Sequence, residues 1–283
     1  MNEWQIGAVR MVRVVELDGP VPPDFFFDGV TPESVMRHAW MRPHFATDDG
    51  RLLGSVQAFC IESAGKRIVV DTCVGNDKVR TNPVWNHMQT RFLADLEKVG
   101  FARETVDVVV CTHLHVDHVG WNTMQADGRW VPTFPNARYL MGRREFEFWS
   151  ESPEPEDGDV FGDSVKPVAD AGLVDLVESD HRITEHLALE PTPGHTPGHV
   201  SLRIRSGGAE AVITGDLMHH PIQCSEPDWA VRFDVDPDAA RATRRAFLEK
   251  HAASGVLVFG THFSTPTAGR VVAVGDAWEF RAP

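Results

Sequence analysis

Short runs of β-branched and apolar residues alternate along the chain with amphipathic helical stretches. The runs that predict strands are Ala8–Leu17, Ser55–Glu62, Arg67–Asp71, Val106–Thr112, Arg138–Met141, Leu187–Glu190, Val200–Ile204, Ala211–Thr214 and Val256–Phe259. Met88–Val99 reads as a helix with an apolar stripe at Phe92, Leu93, Leu96 and Val99, and Gly100 to end it. Pro237–Ser254 reads as a second helix, with Asp236 as N-cap, Pro237 at the first helical position and Gly255 just past the end.

Residues 151–164 are rich in proline, glycine and acid and predict a surface loop. A domain linker is disfavoured there, because candidate metal ligands lie on both sides. Residues 20–50 are irregular and carry Phe25, Phe26 and Phe27 in a row. They predict an arm that either covers a site or packs on a second subunit. With no internal repeat or low-complexity segment, the 283 residues are expected to form a single domain, residues 1–50 including the N-terminal arm.

The formal net charge of −14 disfavours a nucleic-acid or anionic-membrane partner, since both favour basic surfaces. Cys60, Cys73, Cys111 and Cys224 make no CxxC pair and predict buried free thiols in a reducing compartment. The first residues lack the apolar core of a secretory signal, and no stretch approaches the ~20 apolar residues of a membrane span. A cytoplasmic protein is the expectation.

The fourteen histidines change the picture through their clustering. In Thr112-His113-Leu114-His115-Val116-Asp117-His118, four metal-capable side chains fall within six positions, directly after an apolar strand. Alternation puts His113 and His115 on one side of an extended segment, and Asp117 and His118 follow where the chain turns towards a helix. Imidazole and carboxylate suit zinc and similar divalent ions. A solvated His-rich loop is the plain alternative. Three further runs end in a candidate ligand: Leu187–Glu190 leads to His195, Val212–Gly215 to Asp216, and Val256–Thr261 to His262. Singly, each reads as a turn aspartate or a structural histidine. Repetition of strand-then-ligand favours convergence on one sheet edge.

With Asp71 in IVVDTCVG, HLHVDH at 113–118, His195 in TPGHTPGH, Asp216 in ITGD and His262 in GTHF, the chain resembles the metallo-β-lactamase superfamily over roughly residues 50–270. The resemblance implies an α/β fold, an αββα sandwich with mixed sheets flanked by helices. It implies a dinuclear site, most simply two Zn2+ ions. His113, His115 and His195 would bind the first, and Asp117, His118 and His262 the second. Asp216 would bridge them, and Asp71 would orient a ligand from behind. The implied chemistry is hydrolysis, by a metal-bridging hydroxide attacking a carbonyl or phosphoryl centre, with Asp117 as a proton carrier to the leaving group.

The N-terminal arm and the GTHF ending resemble the branch of acyl-homoserine lactonases, other lactonases and organophosphate hydrolases. A small neutral lactone or ester is therefore the leading substrate class. Where those lactonases place a tyrosine three residues after the bridging aspartate, this chain has His219, and its only tyrosine is Tyr139. His219 either donates a hydrogen bond to the attacked carbonyl or is structural. His199 reads as a turn residue. Trp121, Phe25–Phe27, Phe263 and Trp229 are candidates for a pocket wall or for plain packing, and an exposed Phe triplet would serve a homodimer contact. The alternatives are a phosphotriester or phosphoester hydrolase, an iron-dependent oxidoreductase of the same fold, and a non-catalytic binding module. The full ligand set argues against the last two.

Overall fold

The computed structural model describes residues 2–151 and 157–282. Its first sheet opens as an antiparallel meander of β1 (Glu3–Ile6), β2 (Val9–Val21), β3 (Leu52–Ser63) and β4 (Lys66–Val70), then continues in parallel with β5 (Val108–Val110). A hairpin of β6 (Thr123–Ala126) and β7 (Arg129–Pro132) stands apart. β8 (Arg138–Gly142) and β9 (Val174–Val177) complete the sheet, again in parallel. The second sheet runs in chain order through β10 (Leu187–Pro191), β11 (Val200–Ser206), β12 (Ala209–Ile213), β13 (Leu257–Phe259), β14 (Ala268–Val274) and β15 (Ala277–Arg281).

Side-chain alternation sorts the central strands between cores. Ile68, Val70, Val108 and Val110 share one core with Leu202, Ile204, Ala211 and Ile213, between the sheets. Val69 and Val109 face the other way, into a core with Phe92, Leu96, Trp149 and Val168 from helical segments. Val212 and Val258 leave the second sheet on its outer side, joining Phe247 and Leu248 of the helix Pro237–His251 and Phe26, Met41 and Phe45 of the arm. Both sheets are therefore covered on their outer faces, which is the αββα layering expected. Central strands buried on both faces explain the unbroken apolar runs in the sequence. Cys60, Cys73, Cys111 and Cys224 are buried and unpaired.

The helix Pro237–His251 starts as expected, with the Asp236 side chain accepting from Ala239 N at 3.0 Å. It ends three residues before Ser254, in a turn. The other helix covers only Phe92–Lys98. Met88–Arg91 stays non-helical because Thr90 is drawn elsewhere: its N donates to Asn76 Oδ1 at 2.8 Å and its hydroxyl to Glu16 at 3.0 Å. Of the loop expected over 151–164, residues 152–156 lie outside the described residues, and from Val160 the chain is helical. The linear pattern does not mark β1, β9, β14 and β15, which lie at or beside sheet edges, or the β6–β7 hairpin. These short strands are half-buried or carry charge, so their period-2 signal is weak.

Candidate metal centre

Strand direction brings the candidate ligands together. β10 and β12 are each antiparallel to β11, so they point the same way, and β13 runs parallel to β12. The turns leaving β10, β12 and β13 carry His195, Asp216 and His262. The turn leaving β5 carries His113 and His115. Extended backbone at His115 then enters a short helix, Val116–Val119, which presents Asp117 and His118. Gly215 permits the tight turn before Asp216, for its φ is +56° and a Cβ there would lie 2.5 Å from His199 Nε2.

All seven candidate ligands converge. His115 Nδ1 lies 3.1 Å from His113 Nε2 and 2.8 Å from His195 Nε2. On the other side, His118 Nε2 and His262 Nε2 are 3.2 Å apart, and Asp117 reaches them at 3.6 and 3.5 Å. Asp216 Oδ2 sits between the groups. It is 3.7 Å from His113, 3.5 Å from His195, 3.3 Å from His118 and 3.1 Å from His262. His113, His118, His195, Asp216 and His262 are buried, while His115 and Asp117 are partly exposed and form the open side.

Four imidazoles are fixed from behind. His118 Nδ1 donates to Asp71 Oδ2 at 2.9 Å, His195 Nδ1 to Asp234 Oδ1 at 2.9 Å, and His262 Nδ1 to the Ser55 carbonyl at 2.9 Å. His113 Nδ1 donates to Thr112 Oγ1 at 3.1 Å, whose own proton goes to Asp71 Oδ2. These bonds assign the tautomers and leave each Nε2 to face the centre. Asp71 thus stands behind His118 directly and behind His113 through Thr112. Asp234 was not visible in the sequence, because nothing in Val231-Arg232-Phe233-Asp234 marks it as a partner of His195.

The charge pattern is uneven. Burial and neighbouring imidazoles hold His113, His115 and His195 well below the usual histidine range. Burial also opposes charge on His118 and His262, but Asp216 outweighs it, raising both, His262 to about 9. Asp216 is held well below the usual carboxylate range by His118, His262 and His219, against its burial. The centre therefore draws positive charge. His118 Nε2 and His262 Nε2 face each other across 3.2 Å, an arrangement that demands a proton or a cation between them. Among the described residues, four groups of three donors could hold an ion: His113, His115 and His195; His113, His118 and Asp216; Asp117, His118 and His262; His195, Asp216 and His219. Imidazole nitrogens and carboxylate oxygens are ordinary zinc donors, so the residues fit a divalent metal.

His219 belongs to the same cluster. Its Nε2 lies 2.9 Å from Asp216 Oδ2, and its Nδ1 is buried without a partner. The Phe26 ring packs against it, with centroids 5.9 Å apart. His199, in its turn, supports Asp216: its Nε2 accepts from Asp216 N at 2.8 Å, and its Nδ1 donates to Thr192 O. The aromatic candidates are mostly packing. Trp121 is buried, stacked on Phe92 and bonded to Glu16, and Phe263 is wholly buried against Phe280. Phe26 and Phe27 are buried within the chain, Phe27 against Trp229, and Phe25 is half-buried against Phe26 and Phe233. Tyr139 is buried in the first-sheet core, donating to Asn122 O. A small cavity beside His115 is walled by Leu114, Val116, Trp149, Val160 and Phe161, with Asp157.

Known proteins share both sequence and fold with this chain. It is 33% identical over 169 residues to the N-acyl homoserine lactonase AttM of Rhizobium radiobacter, covering 57% of this chain and 60% of that one. It is 26% identical over 170 residues to an N-acyl homoserine lactonase of a Bacillus species, covering 56% and 61%. The matches thus span about three fifths of these relatives' length. Among solved structures, a hydrolase of the beta-lactamase superfamily, AbOPH, superposes with a TM-score of 0.80 at 23% identity, covering 99% of this chain and 96% of that one. AidC, a dizinc quorum-quenching lactonase in complex with a product, superposes at 0.77 with 20% identity and the same coverage. Those two likenesses speak for the fold. The family profile of the Metallo-beta-lactamase superfamily matches residues 51–262, from the start of β3 to the last candidate ligand, and the chain belongs to that superfamily.

Proposed function

We propose that this protein is a dinuclear metal-dependent hydrolase that opens lactones or cleaves small neutral esters, with two zinc ions as its resident metals. The observation that carries the reading is Asp216 Oδ2, one carboxylate oxygen within 3.7 Å of histidines from both donor groups. His113, His115 and His195 would hold one ion, Asp117, His118 and His262 the other, and Asp216 would touch both. When bound, such a pair lowers the pKa of water towards ~7 and polarises the attacked carbonyl.

The remaining work falls to the chain. Asp71, Asp234, Thr112 and the Ser55 carbonyl keep four imidazoles oriented, so no reorganisation is needed at reaction. Asp117, on the open side, would carry a proton to the departing alkoxide. His219, whose Nδ1 is buried without a partner while its Nε2 faces Asp216, is the residue assigned to donate a hydrogen bond to the attacked carbonyl oxygen. The lactonase relatives support the same substrate class, and a net charge of −14 disfavours strongly anionic substrates.

The test is proton release by the zinc-loaded protein on an acyl-homoserine lactone, with aryl esters and a phosphotriester alongside. Turnover abolished in His118→Ala is expected. His219→Phe should lower kcat about 10²-fold with KM little changed, the loss typical of one oxyanion donor. No lactone or ester turnover with two zinc ions bound would sink the substrate assignment. Faster phosphotriester turnover would move it to phosphorus.

A further inference from the structure

Glu145 is a buried carboxylate on the helix Arg143–Glu151, which follows β8, and it is neither a candidate ligand nor bonded to one. It meets three N–H donors. Oε1 accepts from Leu114 N at 3.2 Å and from Trp149 Nε1 at 2.6 Å, and Oε2 accepts from Gly198 N at 2.9 Å. Leu114 stands between His113 and His115, in the turn leaving β5 of the first sheet. Gly198 lies three residues after His195, in the turn between β10 and β11 of the second. One side chain therefore ties together the two turns that carry His113, His115 and His195.

Two further contacts tighten the tie. The Gly198 turn lies directly on the Glu145 backbone, where a Cβ at 198 would come within 2.4 Å of Glu145 N. Trp149, one helical turn on, sets its ring edge against His115 with centroids 5.2 Å apart. An ionised carboxylate only accepts, so it suits a site where three N–H groups converge. His118 and His262 are fixed instead by Asp71 and the Ser55 carbonyl.

We propose that Glu145 is a positioning residue that sets the spacing of His113, His115 and His195 across the two sheets, and so governs the affinity of that group for its metal. The inference rests on the two-metal reading above. Glu145→Gln is the informative change. With its oxygen kept on Leu114 and Trp149, its NH2 group faces the Gly198 N–H, donor against donor, and that turn is released.

Metal-free protein would be titrated with cobalt(II), following the visible absorption of each bound ion. The unmodified protein should bind two ions. In Glu145→Gln one ion should weaken about 10–100-fold, the usual cost of losing an outer partner, and the other should stay unchanged. In a His118→Ala background, where the His113 group remains whole, Glu145→Gln should weaken the remaining ion. Thermal unfolding of the metal-free proteins checks the fold. Should Glu145→Gln not fold, Glu145→Asp keeps the charge with a shorter reach and must show the same selective loss. Two ions bound with unchanged affinity, or both weakened equally, would overturn the proposal. A single ion in the unmodified protein would overturn the two-metal reading and this inference together.

Discussion

At the residue scale, the centre is decided by what lies behind the histidines. Asp71 adopts φ +57°, a left-handed conformation that costs a non-glycine residue roughly 1–2 kcal/mol. It is held there by its own N–H on Val110 O and by three donors on its carboxylate: Thr112 N, Thr112 Oγ1 and His118 Nδ1. Asp234 plays the matching part for His195, with its second oxygen accepting from Val231 N at 3.1 Å. Asp234→Ala would leave the His195 Nδ1–H and that backbone N–H without an acceptor. Zinc affinity at the His113, His115 and His195 group is expected to fall about 10–100-fold, read by competition with a chelating dye. An unchanged affinity would show that His195 is oriented by its turn alone.

At the element scale, buried charges pin the long connections that shape the site. The segment after β4 is held by Glu16, which accepts from Val74 N, Thr90 Oγ1 and Trp121 Nε1. Further on, Arg80 makes a paired contact with Asp163 at 2.7 and 2.9 Å, and Lys78 Nζ bonds Thr123 Oγ1 and the Asp163 carbonyl. Asp163 Oδ1 also lies 3.3 Å from Lys78 Nζ, so one carboxylate serves both buried side chains. Burial pushes Lys78 down to about 7, with Asp163 opposing and Arg80 assisting. An unfolded lysine titrates near ~10.4. Between these values the unfolded chain holds a proton that the folded chain has released, so this residue makes stability rise with pH. The clean window is pH 7 to about 9, below the bulk of lysine ionisation in the unfolded chain. Lys78→Met should remove that rise, a slope of at most about 1.4 kcal/mol per pH unit, in denaturant unfolding across the window. Parallel pH profiles for the two proteins would refute the assignment.

At the scale of the whole molecule, the centre joins two sheets. His113, His115, Asp117 and His118 come from the first, and His195, Asp216 and His262 from the second. The sheets are already pressed together by the core of Ile68, Val70, Val110, Leu202 and Ile213. A metal bound by residues from both would act as a further clamp, present only in the folded state. Stripping it with a chelator should lower Tm, and added zinc should raise it with concentration as RT ln(1 + [L]/Kd) requires, about 2.7 kcal/mol at a hundredfold excess over Kd. An unchanged Tm with and without zinc would mean that the donors do not hold an ion across the sheets. None of the helices among the described residues is long and apolar enough to cross a membrane.

The chain's linear pattern by itself marked the central strands, the helix Pro237–His251 and, in part, the helix Phe92–Lys98, and it singled out seven metal-capable side chains that the fold brings together, but it did not mark the helix Arg143–Glu151. Strands such as Val108–Val110 and Ala209–Ile213 are largely buried, so they must be nearly continuously apolar. The candidate ligands follow those strands closely, so apolar run and chemical residue are neighbours in sequence as well as in space. Tertiary structure alone decided which groups stand behind the candidate ligands. Asp234 lies 39 positions from His195, and the Ser55 carbonyl lies 207 from His262. Glu145 stands 31 positions from Leu114 and 53 from Gly198, in the two turns that it joins. Composition, likewise, could not separate a pocket wall from a core, and the fold put Trp121 and Phe263 inside. Such partners leave no local trace, because a hydrogen bond or a ring contact depends on distance in space, and only the packing of the two sheets sets that distance.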